Sequence, residues 1–213
     1  MTEIAINDLP SFFQSVADEF TKRKDELCEM DANMGDGDLG LTMSKGFSAL
    51  PDIIKANSTD DLGMTLVKSG MKMASVVPST MGTLMSSGVM TGGMALKGKT
   101  VLDASSLVLF IRGFADGIQK RGKCKRGDRT ILDAMASAAD KAEAAISADP
   151  QATMKAIIDK AVEGAAEGVE ATKEMTPVFG KAAVFAAKAK GVPDQGATAA
   201  LYMLKGMQDY ISK

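Results

Sequence analysis

Apolar residues recur at helical spacing along almost the whole chain, and this pattern constrains the fold more than any other feature. Phe13, Val16 and Phe20, for example, fall on one helical face. No segment sustains the two-residue alternation that is typical of a half-buried strand. About eight helices are indicated, and their short connections favour antiparallel neighbours. The pattern therefore predicts an all-α fold, an up-and-down helical bundle or barrel that forms a single domain over residues 1–213.

Prolines and capping residues predict where several helices begin and end. The helix that starts near Thr42 should stop at Leu50, because Pro51 follows it. Asp149 followed by Pro150 is typical of a cap and a first helical residue, so a later helix should begin there. The last two helices are expected near residues 181–190 and 196–211.

The composition excludes several classes of function. The chain has no histidine, so it carries no imidazole base and no histidine metal ligand. A net charge of -2 offers no general attraction to nucleic acid or to anionic membranes. Cys28 and Cys124 show no C-x-x-C spacing, which indicates a reducing compartment and hence the cytoplasm. The N-terminus does not resemble a signal peptide, and no apolar run approaches the length of a membrane span.

Two glycine motifs match phosphate-binding patterns but lack the necessary context. Residues 35–40 read G-x-G-x-x-G, yet a helix precedes them and two carboxylates occupy the variable positions, where they would repel phosphate. Residues 93–100 read G-x-x-x-x-G-K-T, but neither a preceding strand nor a parallel sheet is predicted. The second motif ends a stretch rich in methionine and glycine, residues 79–98, which indicates closely packed helices or a broken helix.

Asp31, Asp36 and Asp38 form the most informative cluster of the sequence. Asp31 lies at the end of a predicted helix, where the helix dipole disfavours an anion. Gly35 and Gly37 permit a tight turn that would bring the other two carboxylates back to it. Three carboxylates at close range repel one another and therefore favour a bound cation. With no histidine in the set, all-oxygen ligation suits Mg²⁺ or Ca²⁺ rather than zinc.

The calcium-binding EF-hand does not fit this cluster. A loop that starts at Asp31 would need glycine where Asp36 stands and glutamate where Thr42 stands. The acids could instead cap the next helix and decorate a solvated loop, but three of them among glycines favour the metal site. Mg²⁺ usually keeps positions open for water and substrate phosphates, so the ligand is expected to carry phosphate.

Four motifs, in order along nearly the whole chain, resemble the L subunit, or nucleotide-binding domain, of the dihydroxyacetone kinase family. They are Asp31-x4-Asp36-x-Asp38-x-Gly40-x-Thr42-Met43, Gly70-Met71 with Ser79-Thr80-Met81-Gly82, Gly122 with Gly127-Asp128-Arg129-Thr130, and Gly180-Lys181-Ala182 with Asp194-Gln195-Gly196-Ala197. The resemblance implies a barrel of eight antiparallel helices, in agreement with the periodicity.

The resemblance also implies a site and its ligands. Asp31, Asp36 and Asp38 would be the catalytic residues and would ligate two Mg²⁺ at the phosphates of ADP or ATP. Further positions would border the nucleotide: Leu39, Gly40, Leu41, Thr42, Thr80, Met81, Gly122, Ile131, Lys181, Asp194, Gln195 and Gly196. The acceptor, dihydroxyacetone or a related small keto-sugar, would be held by the histidine of a partner K subunit. The phosphoryl donor would be ATP or a phosphoprotein of the phosphotransferase system.

Three positions depart from the family pattern. Leu39 stands where members often carry histidine, Lys181 where arginine is common, and Gln195 within the segment that usually reads D-P-G. These departures leave open a nucleotide-sensing regulatory module without phosphoryl transfer. A metal-dependent phosphohydrolase is a further alternative. A basic run around residues 120–129 is either a solvated turn or a docking surface for an acidic partner or phosphate.

Overall fold

Ten α-helices and one small sheet make up the chain, and a computed structural model describes all of residues 1–213. The helices are α1 (Leu9–Lys22), α2 (Lys24–Ala32), α3 (Leu39–Asn57), α4 (Leu62–Val76), α5 (Thr80–Ala95), α6 (Ala104–Gly122), α7 (Ile131–Ala148), α8 (Met154–Ala171), α9 (Ala186–Ala189) and α10 (Gln195–Ile211). Strands β1 (Glu3–Ala5) and β2 (Val101–Asp103) pair antiparallel. Short 3-10 turns cover Ile6–Asp8, Thr172–Glu174 and Lys181–Phe185.

Eight long helices, of 14 to 19 residues each, close into a ring. Each packs on the next in the order α1, α3, α4, α5, α6, α7, α8, α10, and α10 packs back on α1. The apolar faces meet inside the ring in one continuous core. The all-α barrel of about eight helices is therefore confirmed. None of the helices is both long and apolar enough to cross a lipid bilayer.

The close helix contacts expected in the glycine-rich stretch are present between α4 and α5. A methyl group on Gly63 would lie 2.5 Å from the carbonyl oxygen of Gly93, so only glycine allows the two backbones to approach this closely. Helix α5 itself is unbroken. The G-x-x-x-x-G-K-T motif begins in its last turn, where a helix presents carbonyl groups, and the Gly98 N–H donates to Asp61 at 2.9 Å. The motif therefore does not form a phosphate-binding loop.

The expectation that Pro51 ends a helix is wrong. Helix α3 begins earlier, at Leu39, and continues through Pro51 to Asn57. Proline removes one backbone donor from the helix, but Leu50, Pro51 and Ile54 are all buried on the core side. Their burial offsets the lost hydrogen bond.

Three other local expectations need correction. Helix α8 begins at Met154 rather than at Pro150, because Thr153 provides the cap by accepting from the Ala156 N–H. Residues 181–190 form a 3-10 turn and one short helical turn instead of a continuous helix, since the segment buries too little surface to support one. The strands were not expected at all, because three-residue strands are too short to show alternation.

Candidate functional site

The three aspartates converge where α2 ends and α3 begins. Asp31 lies in the last turn of α2, while Asp36 and Asp38 follow in the connecting loop, and their ligand oxygens all lie within 4.8 Å of one another. Gly37 adopts a φ of 76°, which L-residues with side chains rarely take. A methyl group on Gly35 would lie 2.3 Å from the Asp31 carboxylate. Both glycines are thus required to fold the loop back onto Asp31.

Asp31 is held by three N–H donors. Its Oδ2 accepts from the backbone amides of Gly37 at 2.9 Å and Asp38 at 3.1 Å. Its Oδ1 accepts from the side-chain amide of Gln195 at 3.3 Å, across 164 residues of sequence. Because Asp31 is also buried, its carboxylate has a single well-defined position in the site.

The local charges make the cluster strongly negative. Burial, together with the charges of Asp36 and Asp31, raises the pKa of Asp38 above its usual value. The hydrogen bond from Lys181, with Nζ 2.6 Å from Asp36 Oδ2, lowers the pKa of Asp36 and raises the pKa of Lys181. Both partners of that pair are exposed, so solvent screens their interaction. One lysine against three carboxylates leaves a net negative charge that a divalent cation would neutralise.

Four helices begin at one cavity beside the cluster. Leu39, Thr80, Ile131 and Gln195 are the first residues of α3, α5, α7 and α10, and all four line a cavity of about 330 Å³. Alternate helices of an antiparallel ring begin at the same end, which explains the convergence. Helix N-termini favour anions. The cavity therefore combines a carboxylate cluster suited to a cation with four helix ends suited to an anion.

Most of the predicted site residues line this cavity. They are Asp31, Asp36, Asp38, Leu39, Thr80, Met81, Ile131, Lys181, Asp194, Gln195 and Gly196. Gly122 lies in an adjoining cleft of about 810 Å³, which shares Thr80 and Ile131 with the cavity.

The remaining three predicted residues, Gly40, Leu41 and Thr42, do not line the cavity. A methyl group on Gly40 would lie 1.9 Å from the carbonyl oxygen of Lys24, so this glycine lets α3 pack against α2. Leu41 points to solvent and is 57% exposed. Thr42 donates its N–H to the Asp38 carbonyl within the first turn of α3. Their nucleotide contacts stay predictions.

Nine residues that were not predicted to border the nucleotide also line the cavity, although five of them belong to the family motifs. They are Met34, Gly35, Ser79, Leu84, Arg129, Thr130, Phe179, Gly180 and Ala182. Thr130 had a usable signal, because Thr130 and Asp133 match the capping-box spacing and form that box at the start of α7. Ser79 likewise caps α5 by accepting from the Gly82 N–H at 3.0 Å. Nothing in the sequence pattern marks Phe179.

Arg129 is fully buried and joins three loops behind the cavity. Its guanidinium donates to the Val192 carbonyl at 2.9 Å, lies 3.5 Å from Asp194 Oδ1 and contacts the Met34 sulfur at 3.7 Å. Asp194 also caps α10 by accepting from the Ala197 N–H at 2.8 Å. Burial raises the pKa of Asp194 to about 6 and outweighs the opposing effect of the Arg129 charge.

We expect Asp194→Asn to change how stability depends on pH. The folded protein favours protonated Asp194, so the carboxyl contributes stability below about pH 4 that is lost as the pH rises through about 6. Asparagine does not titrate and still caps a helix. Relative to the variant, the wild type should lose on the order of 3 kcal/mol between pH 4 and pH 7. Urea denaturation of both proteins across this range measures the difference, and parallel pH profiles would contradict the raised pKa.

The basic run lies at the end of α6 and in the loop before α7. Arg126 pairs with Asp140 on α7, and the Lys125 N–H donates to Asp128. Arg121 is exposed and borders the adjoining cleft. Part of the run thus organises the loop, and docking of an acidic partner stays a prediction.

Comparison with known proteins identifies the family. Residues 33–209 match the DAK2 domain. The chain is 27% identical to the ADP-binding subunit DhaL of the PEP-dependent dihydroxyacetone kinase of Escherichia coli K12, over 88% of this chain and 89% of that subunit. It is 28% identical to the D-erythrulose kinase of Mycolicibacterium smegmatis over 94% of this chain, but it spans only 34% of that protein.

A solved structure supports the fold. The dihydroxyacetone kinase of C. freundii, in complex with AMP-PNP and Mg²⁺, superposes with a TM-score of 0.68 at 21% identity, over 94% of this chain and 33% of that one. These relatives carry kinase names, so the resemblance to the dihydroxyacetone kinase L subunit and the assignment to a kinase family are confirmed. Since the match to the DAK2 domain covers residues 33–209, which is most of the chain, this protein belongs to the DAK2 domain family.

Proposed function

We propose that the chain is the nucleotide-binding subunit of a kinase that passes a phosphoryl group to a small keto-sugar. The observation that carries the proposal is the cavity in which three carboxylates, within 4.8 Å of one another, meet the N-termini of four helices. A magnesium complex of ADP or ATP matches this arrangement, because it presents a cation and an anion side by side. The names of the relatives, an ADP-binding subunit among them, support the same ligand.

The residues present fit Mg²⁺. The cluster offers only oxygen ligands, and Asp31, Asp36 and Asp38 would hold two ions, which supply charge neutralisation at the phosphates when bound. In the wall of the same cavity, the side-chain Oε1 of Gln195 is buried and accepts no hydrogen bond from the protein. A buried acceptor of this kind favours a ligand that brings hydrogen-bond donors, such as bound water or a nucleotide hydroxyl.

The chain's own contribution to the reaction is alignment and charge stabilisation. Amides at the N-termini of α3, α5, α7 and α10 would orient phosphate oxygens. Lys181 would place a positive charge on the transferred group, as a point charge rather than the bidentate fork of an arginine. Phosphoryl transfer depends mainly on such positioning, so this subunit needs no base of its own.

The acceptor would be held by a partner. Because the chain has no histidine, a K-type subunit would supply the histidine that binds dihydroxyacetone or a related keto-sugar. Relatives named for dihydroxyacetone and D-erythrulose support this substrate class. The donor is ATP or a phosphoprotein of the phosphotransferase system that recharges resident ADP, and the name of the PEP-dependent relative supports the second route. We place the activity in the cytoplasm, on one domain over residues 1–213.

Calorimetry with ADP and Mg²⁺ tests the proposal. Wild-type protein should bind the nucleotide only when Mg²⁺ is present, and Asp36→Asn should weaken that binding by at least about tenfold, because it removes one ligand charge. Asp52→Asn is the matched control, since Asp52 is an exposed carboxylate on α3 that pairs only with Lys55. Tight Mg²⁺-dependent binding that Asp36→Asn leaves unchanged would refute the site.

Turnover distinguishes the proposed kinase from its alternatives. With a K-type partner, dihydroxyacetone and either donor, the kinase should produce phosphorylated keto-sugar steadily. Nucleotide binding without any turnover would favour the regulatory module, which the departures at Leu39, Lys181 and Gln195 suggest. Phosphate release by the isolated chain would favour a phosphohydrolase.

A further inference from the structure

The hydrogen bonds of Asp31 limit how many cations it can ligate. A carboxylate has about four lone-pair sites, two on each oxygen. On Asp31, the amides of Gly37 and Asp38 occupy both sites of Oδ2, and the side-chain amide of Gln195 occupies one site of Oδ1. Only one lone pair, on Oδ1, is left for a cation.

The other two aspartates are much less restricted. Asp36 receives a hydrogen bond from Lys181 at Oδ2, and its second oxygen is free. Asp38 accepts no hydrogen bond at its carboxylate from any residue of the chain, so all four of its lone pairs can serve cations. The three carboxylates are therefore unequal as ligands, although the sequence presents them as equivalent.

We propose that Gln195 confines Asp31 to a single cation, so that the two Mg²⁺ positions of the site differ in affinity. This inference rests on the proposed function. The remaining lone pair of Asp31, together with an oxygen of Asp38, would hold one ion. Asp36 and Asp38 alone would hold the other ion, and they would hold it more weakly. Gln195 is thus a positioning residue that acts through Asp31.

The orientation of the Gln195 amide follows from the same contact. If the amide were turned over, its oxygen would face Asp31 Oδ1 at 3.3 Å, and two acceptors would repel each other. The nitrogen therefore faces the carboxylate, and the residue cannot ligate a cation at that point. A proline, the middle residue of the usual D-P-G segment, has no such donor and would leave both lone pairs of Oδ1 free.

Two substitutions test the proposal. Gln195→Met keeps the length of the side chain but removes the N–H donor, so Asp31 Oδ1 could be shared between two cations. Gln195→Glu also removes the donor and adds a fourth carboxylate. Gln208→Met is the matched control, because Gln208 lies on the same helix and donates to a carboxylate, Asp159, at 2.7 Å.

The measurement is a titration with Mn²⁺ in the presence of ADP, in which electron paramagnetic resonance reports the concentration of free Mn²⁺. Circular dichroism checks that each variant is folded. In the wild type and in Gln208→Met, the second ion should bind at least about tenfold more weakly than the first. In Gln195→Met the ratio of the second Mn²⁺ dissociation constant to the first should fall by about tenfold. In Gln195→Glu this ratio should fall at least as far.

Each outcome decides a different point. A ratio that is the same in all four proteins would overturn the assignment of Gln195 and leave the proposed function standing. Absence of ADP-dependent Mn²⁺ binding in the wild type would overturn the proposed function and this inference with it. A ratio that is smaller in both Gln195 variants but not in Gln208→Met would support the inference, because a purely structural defect would weaken the binding of both ions together.

Discussion

Asp31→Asn should lower the rate of phosphoryl transfer by about 100- to 1000-fold while leaving the fold intact. Asparagine has the same shape, and its side-chain oxygen can still accept from the Gly37 and Asp38 amides that close the loop. The variant loses the buried charge that would bind the cation and so loses electrostatic stabilisation of the transferred group. The rate is measured with Mg-ATP, dihydroxyacetone and a K-type partner.

The control for this variant is Asp25→Asn on the same helix. The Asp25 side chain is 95% exposed and lies near the start of α2, away from the cavity. The Asp25→Asn variant should transfer the phosphoryl group at the wild-type rate. If folded Asp31→Asn also kept a rate within about threefold of the wild type, the cation would have to bind elsewhere.

Arg129→Met should lower the free energy of unfolding by about 3–5 kcal/mol near pH 7. Arg129 is fully buried, and its loss leaves the carboxylate of Asp194 without a compensating charge and the Val192 carbonyl without its donor. The loops that carry Met34 and Val192 would also lose their common partner. Urea denaturation of the variant and the wild type measures the change.

A double variant separates the charge effect from the packing effect. In Arg129→Met with Asp194→Asn, no uncompensated charge remains, so part of the lost stability should return. Arg121→Met is the control, because Arg121 is exposed and should change the free energy of unfolding by less than about 0.5 kcal/mol. An equal loss in the single and double variants would show that the buried charge of Asp194 is not the cause.

The helices were predictable because their signals are local. Apolar spacing is set by the helical repeat, and it identified the long helices and the barrel from faces such as that of Phe13, Val16 and Phe20. Local signals failed where tertiary packing outweighed them. Pro51 lies inside α3 because its neighbours gain more from burial than the helix loses in one hydrogen bond.

The aspartate cluster was predictable for a related reason. The cluster consists of three aspartates that are close in sequence, Asp31, Asp36 and Asp38. The glycines between them indicate the tight turn that brings the carboxylates together. Contacts from distant segments carried no comparable signal. Gln195 reaches Asp31 across 164 residues, and Arg129 reaches Asp194 across 65. Gly40 matched a family motif, yet in the structure it serves the packing of α3 on α2.

By itself, the sequence determined the fold class, the carboxylate cluster and the absence of a histidine, because periodicity, spacing and composition are properties of the chain alone. Only the tertiary structure decided that four helix N-termini meet at that cluster, since ring closure sets which helix ends share one side of the barrel. It also decided that the three aspartates are unequal. A hydrogen bond from the remote residue Gln195 occupies one lone pair of Asp31, and no local sequence pattern indicates that contact.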